Sequence, residues 1–226
     1  MSNLFESTKP AEIARFIGKH FFYTYEDGWQ YEMYIKNDRA IRYRIHGSIV
    51  GERWVRNQQT QIVRISDDVV KISWDEPTGT TVSVAVNFAE CRLHGVIFSP
   101  QRVAQAPEKT VCFQNDHLDP IRENRNVGST YPKLVIDEYA PIAFLEDRGA
   151  SDETVIASAP KDLPIGYADR LSLESVAMLF HLSTTEVQTH SGPKPDSHDD
   201  RSVEPRLMEV RERIATFARL LRSYGQ

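Results

Sequence analysis

The sequence predicts an all-β protein, a small closed antiparallel β-barrel, on three observations. Between about Phe21 and Phe144 apolar residues recur with period two. Turn residues cut that run into many short segments, and no helical pattern of useful length interrupts it. A sheet of that many strands curls and closes, because closure removes exposed edges. With 226 residues, 40% hydrophobic and 10% aromatic, the chain is long enough for one main domain with appendages around a full core.

The elements follow in order. Residues 1–20 are an N-terminal extension with a short helix over 3–17, where Thr8 caps, Pro10 lies just inside, and Ile13, Phe16 and Ile17 fall at helical spacing. The barrel spans 21–165. Phe21, Tyr23 and Tyr25 share a face before the turn Glu26-Asp27-Gly28. Trp29, Tyr31, Met33 and Ile35 then alternate with polar neighbours up to Asn37-Asp38, and Ile41, Tyr43 and Ile45 face opposite to Arg42, Arg44 and His46. Further strands are expected at Thr60–Ser66, Val69–Trp74, Thr81–Phe88, Arg92–Phe98, Thr110–Asn115 and Leu134–Leu145. Residues 166–203 read as a polar linker, with a short helix at Ser172–His181. In 204–226, Leu207, Val210, Ile214, Phe217 and Leu221 make an amphipathic helix whose stripe needs a partner, whether the barrel, a second subunit or another protein.

Composition narrows the function. A net charge of −5 argues against a general binder of nucleic acid or anionic membrane. No apolar stretch approaches the roughly 20 residues of a membrane span, and the start MSNLFESTKP lacks the features of a signal peptide. Cys91 and Cys112 are too few for a disulfide framework, so a reducing cytoplasm is expected. His94 and His117 are isolated. His190 and His198 stand near Asp196, Asp199 and Asp200 without structural-zinc spacing, so no metal is expected. No phosphate loop, dinucleotide fingerprint or G-x-S-x-G elbow occurs.

Inward positions of a small barrel are normally apolar, so a charged or phenolic residue in phase with them is informative. Glu76 continues the series Val70, Ile72, Trp74. Inside, it would need a partner, and burial would favour the neutral form that a proton donor requires. Alternatively Pro77 and Gly79 bend the strand and turn it out to solvent. Arg53 shares parity with Ile41, Tyr43, Ile45, Ile49 and Val55, and a buried guanidinium wants a carboxylate. Gly47 and Gly51 could shift that register and leave it in a surface salt bridge. Tyr23 and Tyr25 would set two hydroxyls side by side, for a ligand oxygen or a proton relay, or simply for packing. Glu138, in phase with Leu134, Ile136, Ala140, Ile142 and Phe144, is a second acidic candidate.

The run from Tyr23 to Thr80 resembles the phenolic acid decarboxylases, the ferulate or p-coumarate decarboxylases. The matching text is YTYEDGWQYEMYIKNDRAIRYRIH, VGERWVRNQQ, IVRI and KISWDEPTGT, followed downstream by HGVIF, TVCFQNDH, YPKLVIDEYA and VIASAP. The resemblance covers roughly residues 16–165. It implies a lipocalin-like barrel, usually a homodimer, that decarboxylates 4-hydroxycinnamic acids to 4-vinylphenols with no cofactor or metal. It places the functional tyrosine pair on Tyr23 and Tyr25, the arginine on Arg53 and the glutamate on Glu76. Trp29, Tyr31 and Glu138 match positions near the cavity or its mouth, and Tyr43 and Thr80 complete the expected substrate-binding set. Two departures stand out. His46-Gly47-Ser48 replaces the family's His-Ser-Gly at the cavity rim, and Asp75 replaces Thr beside Glu76. The tail after about Leu171 has no counterpart in the shorter members.

The implied reaction suits these groups. Direct loss of carbon dioxide from an acrylic carbon leaves a vinyl anion, but a para-hydroxyl makes the ring an electron sink through a quinone methide. Two other readings compete. One is a non-catalytic lipocalin-like carrier of small aromatic ligands, which needs neither inward acid nor arginine. The other is an interaction protein that uses the barrel as scaffold for its C-terminal helix.

Overall fold

The computed structural model describes residues 9–171. The helices expected at Ser172–His181 and in 204–226, and His190 and His198, lie outside the described residues. Residues 3–8 of the expected helical start, with Thr8, also lie outside the described residues. Its described part comprises α1 (Lys9–Ile13) and a 3-10 turn (Ala14–Phe16) that buries Ile13 and Phe16 in the core.

Nine strands follow: β1 (Lys19–Thr24), β2 (Gln30–Ile35), β3 (Ala40–Gly47), β4 (Trp54–Gln59), β5 (Gln61–Arg64), β6 (Val69–Asp75), β7 (Thr81–Asn87), β8 (Arg92–Ser99) and β9 (Leu134–Asp147). They form one antiparallel sheet in the order β4-β3-β2-β1-β9-β8-β7-β6-β5. β4 and β5 stand at opposite ends of that order yet are joined by Thr60 alone, so the sheet is rolled into a nearly closed barrel whose seam is spanned by the chain itself. Period-two burial delivers the interior: Val70, Ile72 and Trp74 from β6, Val82, Val84 and Val86 from β7, and Leu93 and Ile97 from β8.

Three features depart from the sequence reading. Thr110–Asn115 is not a strand. Val111 and Phe113 imitate alternation, but the segment runs through 3-10 turns at Pro107–Thr110 and Gln114–Asp116 and makes a single parallel bridge, Trp54 to Phe113. The stretch between β8 and β9 is helical, with α2 (Gln101–Gln105) and α3 (Leu118–Val127) where no helix is expected. In β9 a bulge opposite Phe22/Tyr23 shifts the phase: Phe144 pairs with Phe22 on the outside and Leu145 packs against the core instead.

The outer face of β1–β3 is covered too. Residues 148–171 cross it as a strap that buries Val155 and Ile156 against Tyr34, whose hydroxyl donates to the Gly149 carbonyl at 2.6 Å. Beneath it lies Glu32, fully buried. Its carboxylate accepts from His20 Nε2 (2.6 Å), His46 Nε2 (2.8 Å), both Nε and Nη2 of Arg44, and the Tyr167 hydroxyl (3.2 Å). Burial alone would raise its pKa. The donors from His20, His46 and Arg44 outweigh that and hold it far below the usual carboxylate range. Tyr167, which the sequence assigns to the linker, is therefore fastened to the barrel.

Candidate active site

β6 ends in a hairpin that decides the orientation of Glu76. Glu76 N donates to Thr80 O and Gly79 N to Glu76 O, both at 2.8 Å, which leaves Pro77, Thr78 and Gly79 as a three-residue loop. Gly79 supplies the left-handed residue the loop needs, at φ +83°. Glu76 thus remains the last rung of the ladder, and the phase of Val70, Ile72 and Trp74 carries it inward, 8% exposed. Its exposed neighbour Asp75 faces out and accepts from Thr81 Oγ1 at 2.6 Å, so the charge this departure adds stays in solvent.

Arg53 precedes β4 and is held in phase by Ile45 N donating to its carbonyl at 2.7 Å; it is 2% exposed. Its Nη1 meets Glu76 Oε2 at 2.9 Å. The same oxygen accepts from Thr78 Oγ1 at 3.1 Å, and Oε1 accepts from the Tyr43 hydroxyl at 2.7 Å. Three donors therefore aim the carboxylate. Burial works against the charge on Arg53, but Glu76, with smaller help from Tyr43, outweighs it and raises its pKa.

Tyr23, Tyr25 and Tyr31 build the adjoining wall. Tyr23 and Tyr31 are directly opposite across β1 and β2 and stack at 5.5 Å. Tyr25 stands edge-on to both, at 5.5 and 5.6 Å. Burial raises the pKa of all three and of Tyr43 well above the ordinary phenol value, so at neutral pH they are donors and not bases. Tyr25 lies over Gly95 of β8, where a Cβ would come within 2.0 Å of its hydroxyl oxygen. Opposite Gly95 stands Glu138.

These groups line one cavity. Tyr23, Tyr25, Tyr31, Tyr43, Arg53, Glu76, Trp29 and Thr80 all face it, between apolar walls from Trp74, Val82 and Ile97. Ile49 and Val50, in the loop after the His46-Gly47-Ser48 departure, form part of its rim. Of the expected set only Glu138 does not line the cavity. It sits behind Tyr25, with one carboxylate oxygen buried and lacking a protein partner, as does the Tyr25 hydroxyl. Gln114, absent from the expected set, accepts from Arg53 Nη2. It comes from the segment misread as a strand, and no periodicity marks it.

An apolar cavity walled by neutral phenols with one ion-paired acid suits a small aromatic anion. The chain matches the family profile described as "Phenolic acid decarboxylase (PAD)" over residues 13–170. It belongs to the phenolic acid decarboxylase family. It is 53% identical over 148 residues to "Phenolic acid decarboxylase PadC" of Bacillus subtilis (strain 168), covering 66% of this chain and 92% of that protein. A second relative, "Probable phenolic acid decarboxylase" of Vibrio cholerae serotype O1, is 41% identical over 156 residues, covering 69% of this chain and 90% of that protein. As a phenolic acid decarboxylase the protein is a carboxy-lyase. Among the described residues no helix is long and apolar enough to cross a membrane.

Proposed function

We propose that the protein decarboxylates 4-hydroxycinnamic acids (p-coumarate, ferulate, caffeate) to 4-vinylphenols and carbon dioxide through a quinone methide. The observation that carries this reading is Glu76, held inside an aromatic cavity by Arg53 and Tyr43. The phenol releases its proton to solvent, and protonated Glu76 delivers its own to the alkene carbon that bears the carboxylate. The carbon–carbon bond then breaks, its electron pair restores the aromatic ring, and carbon dioxide leaves. After decarboxylation the product phenolate and the Glu76 carboxylate each take a proton back from solvent. Arg53 is the cation among the cavity-lining residues. A substrate carboxylate entering there competes with Glu76 for it. Tyr23 and Tyr25 donate to one oxygen-bearing end of the substrate. Apolar walls from Trp74, Val82 and Ile97 exclude water, and Trp29, Tyr31 and Thr80 orient the ring.

The test is direct: incubation with p-coumarate removes its ultraviolet band as the conjugated acid is consumed. Binding without that loss would leave the carrier reading standing. The homodimer and the cytoplasmic location belong to the same proposal, supported by the family resemblance and by two cysteines that form no disulfide. Light scattering that returns a monomer mass would remove the dimer.

The seat under Tyr25 gives a further expected result. Gly95→Ala forces the phenol aside, which costs about 1–3 kcal/mol of stability and about tenfold or more in kcat/KM through a misplaced donor. Urea unfolding and steady-state kinetics measure the two effects separately.

A further inference from the structure

Two glutamines form a buried relay behind Arg53. Gln58 Nε2 donates to the backbone carbonyls of Gln59 and Asp75, each at 3.1 Å. Carbonyls only accept, so that end of the amide is nitrogen and Oε1 points the other way. Gln58 Oε1 accepts from Gln114 Nε2 at 3.2 Å, which orients the second amide in turn and leaves Gln114 Oε1 facing Arg53 Nη2. Both glutamines are buried, and neither lines the cavity. The direction of the whole chain is therefore set by two backbone carbonyls at the barrel seam, and it ends on the guanidinium that holds Glu76.

Resting on the decarboxylase reading above, we propose that Gln114 is a positioning residue for Arg53. Its neutral oxygen takes one edge of the guanidinium and leaves Nη1 to Glu76. Neutrality matters. Among the described residues the ionisable groups that act most strongly on Arg53 are Glu76, Tyr43, Cys112 and Tyr31, and Glu76 is the carboxylic acid among them. A second carboxylate at position 114 would divide the cation between two anions and weaken its hold on Glu76. An apolar side chain would strand Nη2 and free the guanidinium to turn.

Gln114→Met and Gln114→Glu are compared with wild type and Glu76→Gln, using p-coumarate and circular dichroism. Gln114→Met loses about ten- to hundredfold in kcat, the worth of one charged hydrogen bond. Gln114→Glu is nearly isosteric and keeps the fold, and the alkaline limb of its pH–rate profile moves to higher pH, because a proton donor held less firmly in its charged form keeps its proton longer. Gln58→Met shifts kcat in the same direction, less strongly. A merely structural glutamine would not move the pH limb. If Gln114→Met fails to fold, the Gln114→Glu profile decides, and an unmoved limb overturns the proposal. Folded Gln114→Met with wild-type kcat, beside inactive Glu76→Gln, overturns the positioning role and leaves the decarboxylase reading intact. Wild-type protein inert toward every phenolic acid tried would sink that reading and this role together.

Discussion

Glu76→Gln yields a folded protein that has lost about a thousandfold of its turnover of p-coumarate, in the middle of the range for removing a general acid. The amide keeps the shape of the side chain and still accepts from the Tyr43 hydroxyl, now 2.7 Å away. It has no proton to exchange with the alkene carbon. Arg53 at the same time loses its anionic partner while buried, so a fall in melting temperature accompanies the kinetic loss. Single-turnover absorbance and thermal unfolding separate the two effects. Retention of more than about a tenth of wild-type turnover would show that the proton comes from elsewhere, because positioned acids contribute at least about a hundredfold.

Glu32→Gln has its effect on stability. Wild-type Glu32 is fully buried and satisfies Arg44, His20 and His46 at once. Its loss leaves a buried guanidinium without a carboxylate, a defect worth about 3–5 kcal/mol in a fold whose whole stability is of order 5–15 kcal/mol. The pH dependence follows from the sign of the shift. The folded-state pKa of Glu32 lies far below its ordinary value of 4.5, so its contribution is complete above that value and fades as pH falls below it. Urea midpoints of wild type and Glu32→Gln should differ most at neutral pH and converge in acid. A difference that stays constant down to pH ~3 would contradict the assignment. Glu32 adjoins Tyr31 along β2, so the strap-covered face and the cavity wall stand or fall with one strand.

Much of this was legible in the chain because alternation is a direct consequence of the pleat. Parity placed Glu76 with Trp74 and Arg53 with Tyr43, and the hairpin through Gly79 kept that phase where a bend at Pro77 would have lost it. The same rule failed at Phe144, because a bulge inserts a residue without leaving a mark in hydrophobic spacing. It failed at Val111 and Phe113, whose two-residue spacing is too brief to separate a strand from a string of turns. Period two also sorts residues onto two faces without saying what covers the second. Arg42, Arg44 and His46 read as the face opposite Ile41, Tyr43 and Ile45, and only the path of residues 148–171 shows that Ser158 and Tyr167 close over Arg44. Gln114 was hidden for a related reason: an isolated amide in an irregular segment acquires meaning only from the side chain that folding sets against it.

The margins of the sheet carry one more consequence. Trp54 N donates to Cys112 O at 3.3 Å, while Arg56 N and O are both taken by the Asn115 side chain at 2.9 and 2.7 Å. The outer rim of β4 is thus occupied by its own chain, and β5, at the other margin, is four residues long and tethered to β4 through Thr60. A neighbouring molecule therefore finds little open backbone on which to add a strand, and neither border can peel away to recruit one without dragging its companion. At high concentration in the cell, that geometry guards against ordered aggregation.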